Sequence, residues 1–483
     1  MASGKRITRR QVLRIAGVAG GTAALAACGA TPTPQVVEKV VTQIVAGTPE
    51  VVKETVVVKE TQVVKETVVV QGPTAQAPAA AQPVTLRLQN WFSESDMWAW
   101  QIGLDKVKAK YPEIDVKLEF CPYDDTAVKI MAQAAAGNVP DLIMASNEHT
   151  PILSCSLLLL DLNPFIDKEP DVNPDDFSKG VAQGFNMWGH WWGFPYDQST
   201  YAVFYNKQMF DDAGVPYPPS EGKQPWSWDK FVETAVALTK PEKQQWGAWY
   251  PGGQYLDSCM IYSAGGRNFD DQLRNCIIAS KESADGLQAV VDLMHKHKAA
   301  PTPAETAGGE VDYFASGLAA MHIQGQWDLQ AKNAQCNFPF DIAYLPILKN
   351  KRGVTGGSGF CISASTAHRD EAWKWLKEYT SKEVLSVMVG RTGRGIPARW
   401  SATPAYLEAG GRAKYPSVFI EQLDWAFNDR SVVAYYEFID SYNKHLEPIF
   451  STGQGDILAA LDTIQTETNK AMDEKWASCK IKT

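Results

Sequence analysis

The pattern of apolar and polar residues changes near residue 84, where regular secondary structure is first indicated. Residues 84–88 alternate with a period of two and predict a strand, and residues 114–120 predict a second strand after an intervening helix. Residues 126–136 have the pattern of a helix that ends at a glycine, and the short apolar run 141–145 predicts a buried strand. This alternation of strands with helices predicts a parallel sheet covered by helices.

Aromatic and polar side chains directly follow two of these strands. Because ligands on open α/β sheets bind outside the carboxyl ends of the strands, we expect residues at these two ends to contribute to a site. They are Trp91, Phe92, Ser93 and Glu94 after the first strand, and Asn147 and Glu148 after the third. Helix capping is the alternative role for the last two residues.

The first 27 residues have the features of an export signal. Arg9 and Arg10 precede a weakly apolar stretch at 15–27, which resembles a Tat signal and is too short to span a bilayer. This stretch ends in Leu-Ala-Ala before Cys28, which resembles a lipobox. We therefore expect export, lipidation of Cys28 and anchoring to the outer face of the cytoplasmic membrane, at the cell surface or in the periplasm. The alternative is a cytosolic protein with a chance pair of arginines.

Residues 28–83 form a second segment, which contains a short repeat. The sequence Val-Lys-Glu-Thr occurs at 52–55, 58–61 and 64–67, so the repeat has six residues and does not match a coiled-coil heptad. The segment has no aromatic residue with which to build a core. We expect a flexible linker that begins at the lipidated cysteine and holds the body off the membrane. Association between neighbouring linkers is the alternative.

Composition and charge separate the remaining chain from this leader. All 51 aromatic residues lie between Trp91 and Trp476. The first 83 residues hold nine Lys/Arg and five Asp/Glu, which leaves a net charge of −13 for residues 84–483. Nucleic-acid binding is therefore disfavoured, because it requires a basic face. No run of 18 apolar residues occurs, so we expect no membrane-spanning helix in the mature protein.

Four further stretches carry a specific resemblance. They are GFPYD at 193–197 with YAVFYNK at 201–207, PWSWDKF at 225–231, FASGLAAM at 314–321 with GQW at 325–327, and GGSGFCIS at 356–363 before a helix from Glu371. This ordered set resembles the extracellular solute-binding proteins of the maltose/sugar-binding family of ABC importers. The resemblance extends over nearly all of residues 84–483.

The resemblance implies an α/β fold of the two-lobed, type II periplasmic-binding-protein class, with two parallel or mixed sheets flanked by helices and joined by hinge crossovers. On this basis lobe 1 comprises residues 84–195 plus 358–402, and lobe 2 comprises residues 196–357 plus 403–483. The implied function is capture of a sugar, oligosaccharide or polyol in the cleft by hinge closure, followed by delivery to the permease subunits of the importer. The resemblance implies no catalysis, no cofactor and no metal.

The resemblance also indicates residues of the cleft. Trp327 stands where the family has a stacking tryptophan, and it follows Gly325, which permits a close approach of the backbone. The other candidates are Trp249 and Tyr250 at an aromatic cleft edge, Tyr196, Asp197 and Gln198 at the first crossover, Gly357 and Ser358 at the return crossover, and Arg391. Arg391 and Arg394 are placed to bind an anionic group, with salt bridges to carboxylates as the alternative.

Catalytic and metal-binding motifs give little support to an enzyme. His295 and His297 are two positions apart, so a helix directs them to different faces. The sequence contains no zinc-protease motif, P-loop, Rossmann glycine pattern or nucleophile elbow. A secreted glycoside hydrolase shares the aromatic cleft and needs two suitably spaced carboxylates, so it stays open as the alternative function. The aromatic, acidic body favours a neutral solute, and a glycerol-phosphate-like solute also stays open.

Seven cysteines remain besides Cys28, and this odd number leaves at least one thiol free or linked to another chain. Export to an oxidising compartment permits disulfides. From proximity in the sequence we expect the pairs Cys259–Cys276 and Cys121–Cys155.

Overall fold

The computed structural model describes residues 41–43, 50–52, 83–306 and 311–481. The expected export signal and Cys28 lie outside the described residues, as does most of the expected linker. Within the linker, strand Val41–Gln43 pairs antiparallel with strand Glu50–Val52. The chain divides after Ala79, and the two large sheets and their helices belong to the unit formed by residues 80–483.

The strands of the chain are, in order, β1 (Val41–Gln43), β2 (Glu50–Val52), β3 (Val84–Asn90), β4 (Ile114–Phe120), β5 (Leu142–Ser146), β6 (Asn186–Met187), β7 (His190–Trp191), β8 (Gly193–Pro195), β9 (Asp197–Gln198), β10 (Tyr201–Asn206), β11 (Met321–Gly325), β12 (Phe340–Ala343), β13 (Gly353–Val354), β14 (Ser358–Ile362), β15 (Ile396–Pro397) and β16 (Ala426–Phe427).

The α-helices are α1 (Met97–Lys110), α2 (Thr126–Ala135), α3 (His149–Cys155), α4 (Asn163–Ile166), α5 (Lys179–Ala182), α6 (Lys207–Ala213), α7 (Trp228–Leu238), α8 (Gln254–Ala264), α9 (Lys281–His295), α10 (Pro303–Thr306), α11 (Leu329–Gln335), α12 (Arg369–Tyr379), α13 (Lys382–Leu385), α14 (Ser417–Glu421), α15 (Tyr435–Thr452) and α16 (Ile457–Ser478).

The first sheet has five strands in the order β4-β3-β5-β14-β8. β3 pairs in parallel with β4 and β5, as the alternation of strands and helices predicts, whereas β14 pairs antiparallel with β5 and β8. The predicted helix at 126–136 is α2, and the predicted strand at 141–145 is β5, which is buried along its whole length. The sheet is therefore mixed, because β8 and β14 join it from the two crossover regions.

The second sheet has three strands in the order β11-β10-β12, and both of its pairings are antiparallel. Every residue of β10 is buried, as expected for a central strand that is covered on both faces. α7 begins at Trp228, where the side chain of Ser227 accepts a hydrogen bond from the backbone N–H of Lys230. The tryptophan-rich stretch at 225–231 therefore contains the start of a helix.

Each sheet has its own hydrophobic core. Leu86, Ile143 and Phe360 belong to the cluster around the first sheet. Val203 and Phe231 belong to a separate cluster between the second sheet and its helices. The strand ends of the two sheets are thus held by independent packing, apart from the segments that cross between them.

Two crossover segments lie side by side. The backbone N–H and the hydroxyl of Ser199 both donate to the carbonyl oxygen of Gly356, at 2.9 and 3.0 Å. β9, which directly precedes Ser199, pairs antiparallel with β15. The first crossover is therefore hydrogen-bonded to the return crossover and to the segment that follows α13.

The C-terminal helices end at a disulfide. α15 and α16 pack against each other and against α9, and Cys479, which follows α16, is bonded to Cys155 at the end of α3. The expected pairs Cys259–Cys276 and Cys121–Cys155 are both wrong. The other five cysteines of the described chain are free and buried: Cys121, Cys259, Cys276, Cys336 and Cys361.

Within the ranges that the structure describes, no helix has the length and the apolar character needed to cross a bilayer.

Candidate functional site

A cavity of about 340 Å³ lies where the carboxyl ends of strands from both sheets meet the crossovers. Larger cavities exist, but this one combines residues that follow β3 and β11 with residues of the first and return crossovers. It is lined by Trp91, Tyr123, Tyr196, Asp197, Ser199, Tyr255, Gln326, Trp327, Gly357, Ser358, Arg394 and Arg430. Strand ends of an α/β fold are where a ligand is expected.

Trp327 provides an exposed aromatic face in this cavity. It lies two residues after the end of the second-sheet strand β11, and 38% of its surface is exposed. A β-carbon on Gly325 would lie 2.1 Å from the Trp327 ring, so only glycine leaves room for the indole in this position. The ring of Tyr201 contacts the indole edge-on with centroids 5.2 Å apart, and the ring plane of Tyr255 lies nearly parallel to it at 18°. Trp327 is thus held by packing while one face stays available.

Trp91 contributes a second aromatic group from the first sheet. It follows β3 and packs edge-on against Tyr123, with ring centroids 5.0 Å apart. Tyrosine and tryptophan rings present apolar faces that suit the C–H surfaces of a sugar. The cavity therefore has aromatic side chains from both sheets.

A buried ion pair contacts the aromatic side chains of the cavity. Nη1 of Arg430 lies 3.0 Å from Oε1 of Glu148, and the guanidinium lies 3.8 Å from the ring centroid of Tyr255. The hydroxyl of Tyr123 donates to the same carboxylate oxygen. Burial raises the pKa of Glu148, but the charge of Arg430 and the hydrogen bonds to the carboxylate outweigh burial, so this pKa lies below its usual range. The pair is therefore ionised and joins the end of β5 to the segment after β16.

The two crossovers form another part of the cavity lining. Oδ1 of Asp197 accepts a hydrogen bond of 2.7 Å from the backbone N–H of Ser358. A β-carbon on Gly357 would lie 2.1 Å from the carbonyl oxygen of Asp197, so glycine is required for this close approach. Burial raises the pKa of Asp197 to about 6, although the Ser358 N–H and the charge of Arg394 oppose the rise. Arg394 itself pairs with Asp96 at 3.1 Å.

Replacement of Asp197 by asparagine is expected to change the pH dependence of stability. Because the folded-state pKa is raised, to about 6, folded Asp197 keeps its proton when the unfolded chain has lost it. The contribution of this group is therefore present below the unfolded-state pKa and falls as the pH rises from about 4 to about 6. The asparagine of the variant still accepts the Ser358 hydrogen bond and does not titrate.

Melting temperatures of wild type and Asp197→Asn, measured across this pH range, check the prediction. The melting temperature of the variant should rise relative to that of the wild type as the pH rises. The contributions of other titrating groups cancel in the difference between the two proteins. A difference in melting temperature that is the same at all pH values would contradict the prediction.

Six of the residues expected from the sequence line this cavity: Trp91, Tyr196, Asp197, Trp327, Gly357 and Ser358. The others lie elsewhere. Phe92 is buried and stacks on Trp100 with centroids 4.1 Å apart. Ser93 and Glu94 are exposed in the connection between β3 and α1, outside the cavity lining. Glu148 reaches the cavity through Arg430 and is itself only 1% exposed.

Most of the other residues expected from the sequence form buried hydrogen bonds or stack on a neighbouring ring. Asn147 accepts from the N–H of Gly357 at 2.7 Å and donates to the carbonyl of Val181, so it ties the return crossover to α5. Gln198 donates to the carbonyl of Pro397. Three further residues stay outside this cavity: Trp249, which stacks on His322 at 4.2 Å; Tyr250, which donates to Asp257; and Arg391, which pairs with Glu408 at 2.8 Å.

Five lining residues were not singled out from the sequence: Tyr123, Ser199, Tyr255, Gln326 and Arg430. Arg394 has the salt-bridged role that the sequence left as its alternative. Gln326 and Ser199 adjoin expected residues and could have been included by position. No local pattern marks Tyr255 at the start of α8 or Arg430 in an irregular segment, because the fold alone brings them to this cavity.

Residues 83–306 and 311–481 and the two short described strands contain no group of three or more His, Cys, Asp or Glu side chains able to hold a metal ion.

Known proteins match this chain over most of the unit that follows the linker. A curated maltotriose-binding protein of Pyrococcus abyssi is 23% identical over 294 residues, which are 59% of this chain and 60% of the relative. An arabinooligosaccharide-binding protein of Halalkalibacterium halodurans is 26% identical over 208 residues, 42% of this chain and 43% of the relative. The chain thus aligns with less than two thirds of either relative.

A solved structure shows the same fold. It is an ABC substrate-binding protein of Listeria monocytogenes in complex with cycloalternan, with a TM-score of 0.74 at 22% identity, covering 81% of this chain and all of that one. The family model described as bacterial extracellular solute-binding protein matches residues 91–385, more than half of the chain. With strand ends, crossovers and family model in agreement, the chain belongs to the bacterial extracellular solute-binding protein family.

Proposed function

We propose that this protein is the solute-binding component of an ABC importer and that it captures a carbohydrate in the cavity between its two sheets. The observation that carries the proposal is the presence of Trp91 and Trp327 in one cavity, with Trp91 directly after β3 of the first sheet and Trp327 two residues after β11 of the second. A solute that contacts both tryptophans bridges both sheets, so it stabilises the closed arrangement over an open one.

The charges around the cavity favour a neutral solute. Arg430 is paired with Glu148, and Arg394 is paired with Asp96. The acid of the lining, Asp197, accepts a hydrogen bond from the backbone N–H of Ser358. The aligned relatives are named for maltotriose and arabinooligosaccharide, and the Listeria protein was solved with cycloalternan. We infer a neutral sugar or oligosaccharide as the solute of this chain.

The lobes and their movement belong to the same proposal. Lobe 1 comprises residues 84–195 plus 358–402, and lobe 2 comprises 196–357 plus 403–483. The separate cores of the two sheets support this division. The Cys155–Cys479 bond and the Glu148–Arg430 pair are links between the two lobes that closure has to preserve. The permease would recognise the closed form, and the protein would release its solute without changing it.

The leader completes the proposal. The Tat-like signal at 1–27 would export the folded chain, and lipidated Cys28 would anchor it at the outer face of the cytoplasmic membrane. The linker that ends at residue 83 would keep the loaded body near the permease.

Trp327→Ala is expected to weaken carbohydrate binding by about 1–3 kcal/mol, because the substitution removes one aromatic face of the cavity. Calorimetric titration against a panel of maltose, maltotriose, arabinotriose and lactose measures the loss. Trp400→Ala is the matched control, since Trp400 is 42% exposed and does not line the cavity.

Product analysis on each bound sugar separates the two functions that the sequence leaves open. Recovery of intact sugar agrees with the binding protein, and a cleaved product would support the glycoside hydrolase instead. Equal affinities of Trp327→Ala and Trp400→Ala for the bound sugar would contradict the assigned site.

A further inference from the structure

The last helix, α16, contacts both lobes of the proposed division. Its first part is held by lobe 2. Oδ1 of Asn469 accepts a hydrogen bond of 2.7 Å from the backbone N–H of Cys276, and Nδ2 of the same residue donates to the Cys276 carbonyl at 3.0 Å. Gln465 accepts from the backbone N–H of Ala279 at 3.0 Å. The helix also packs against α9 and α15, so up to Asn469 it belongs to lobe 2.

The end of the same helix is attached to lobe 1. Cys479 is bonded to Cys155 at the end of α3, and the backbone N–H of Lys480 donates to the carbonyl oxygen of Cys155 at 2.9 Å. The ring of Trp476 lies edge-on to that of Trp188, with centroids 5.4 Å apart. A covalent bond, a hydrogen bond and a ring contact therefore fasten the end of a lobe 2 helix to lobe 1.

Helix α3 connects this attachment to the inner cavity. It has seven residues, all of them buried, and is about 10 Å long. Glu148 directly precedes it and pairs with Arg430, which lines the cavity. The bonded Cys155 and the ion pair of the cavity thus lie at opposite ends of one short buried helix, so the position of Cys155 is felt at the cavity.

The lobes are joined at two separate places, the paired crossovers at Ser199 and Gly356 and the Cys155–Cys479 bond. A rigid movement of one lobe that leaves both places fixed is a rotation about the line through them. Any other movement must lengthen the connection between Asn469 and Cys479. This connection spans about 15 Å as a helix and at most about 36 Å when extended, so such a movement requires the end of α16 to unwind.

We propose that the Cys155–Cys479 bond restricts the lobes to one hinge axis and thereby strengthens solute binding. The proposal rests on the proposed function, because it concerns the closure that a bridging solute stabilises. Closure costs the entropy of every open arrangement that is lost, and the bond removes the off-axis arrangements before the solute binds. The two cysteines are positioning residues, since they act on the solute through the relative placement of Trp91 and Trp327.

The experiment measures the distance between the lobes in the full chain. Spin labels are attached to p-acetylphenylalanine introduced in place of Lys106 in α1 and Val236 in α7, which are exposed positions in different lobes. Double electron–electron resonance should give a broader distribution of sugar-free distances for Cys155→Ser/Cys479→Ser than for the wild type. With saturating maltotriose or arabinotriose the two distributions should coincide. Calorimetry should show about threefold to tenfold weaker binding of the same sugar by the variant.

Two further variants separate positioning from general stability. An insertion of about six Gly/Ser residues between Ser478 and Cys479 keeps the bond but lengthens the connection, so it should reproduce the broad distances and the weaker binding. Leu461→Ala keeps the bond and removes a buried side chain from the part of α16 that packs in lobe 2. It should lower the melting temperature and leave both the distances and the affinity at their wild-type values.

The outcomes distinguish the tether from the function on which it rests. Equal sugar-free distances in the wild type and the insertion variant overturn the proposal, as does equal broadening in Leu461→Ala and the insertion variant. Broader distances without any loss of affinity overturn the effect on binding. Absence of binding by either sugar counts against the proposed function, and the sugar-free distances then decide the restriction of the lobes by themselves.

Discussion

Replacing Arg430 by methionine is expected to lower the free energy of unfolding by about 3–5 kcal/mol near neutral pH, because it leaves a buried carboxylate without its counter-charge. Glu148 is 1% exposed and Arg430 is 8% exposed, and their side chains meet at 3.0 Å. Methionine retains an apolar chain over the Tyr255 ring, so the lost quantity is chiefly the charge. Urea unfolding of the two proteins measures the difference.

The size of this loss is expected to depend on pH. In the wild type the pKa of Glu148 is lowered, so the contribution of the pair is present above the unfolded-state pKa and is lost as the pH falls. In the variant, burial without a counter-charge raises this pKa, so stability declines as the pH rises. The two effects act in the same direction, and the difference in stability should grow between about pH 4 and pH 7.

Two controls identify the charge as the cause. The double variant Arg430→Met/Glu148→Gln removes both charges and should recover a large part of the loss, since no uncompensated carboxylate remains buried. Lys223→Met breaks an ion pair whose two side chains are 52% and 54% exposed, and it should have little effect. A loss that is equal at all pH values, or that the double variant does not relieve, would contradict the interpretation.

The parts of the fold that depend on local pattern were predictable. The period-two run at 84–88 became β3, and the apolar run at 141–145 became β5, because buried strands leave a regular signature in the sequence. The position of Trp91 directly after a strand follows from the same signature. Trp327 was expected in the cleft from the family resemblance, because no local pattern was used to predict the strand that precedes it.

The remaining cavity residues depend on contacts between distant segments. Arg430 is 282 residues from Glu148 in the sequence, and the sequence around each residue does not indicate that the two form a pair. Asn147 also follows a strand, yet its side chain is hydrogen-bonded to the backbone of Gly357 and Val181 and does not line the cavity. A position at a strand end therefore indicates the neighbourhood of a site, whereas the direction of the side chain is decided by tertiary hydrogen bonds.

The disulfide pairing also depends on contacts between distant segments, and the sequence alone did not predict it. Pairs chosen for proximity in the sequence failed, because the bonded partners are 324 residues apart and meet only where the end of α16 lies against the end of α3. Lys480 donates its backbone N–H to the carbonyl of Cys155, and Trp476 packs edge-on against Trp188, so the contact has several parts. Only the assembled fold identifies this pair.

Removal of the Cys155–Cys479 bond is expected to lower the free energy of unfolding by about 2–5 kcal/mol, because a cross-link over a long loop restricts the unfolded chain strongly. The loop that it closes spans 324 residues of the sequence and contains all three strands of the second sheet, together with β8 and β14 of the first. Urea unfolding of the Cys155→Ser/Cys479→Ser variant measures the loss. Reductant should destabilise the wild type by a similar amount and should leave the double variant unchanged.

The free thiols are poorly suited to exchange with this bond. Burial raises the pKa of Cys259 and of Cys276 to about 12, and that of Cys336 to about 11, so all three are protonated near neutral pH. The thiolate is the nucleophile in disulfide exchange, so the native pair should persist while the chain is folded. Peptide mapping without reductant should therefore recover one linked peptide, containing Cys155 and Cys479, from residues 84–483. Recovery of other linked pairs, or equal stability of wild type and double variant, would show that this bond does not hold the ends of α3 and α16 together.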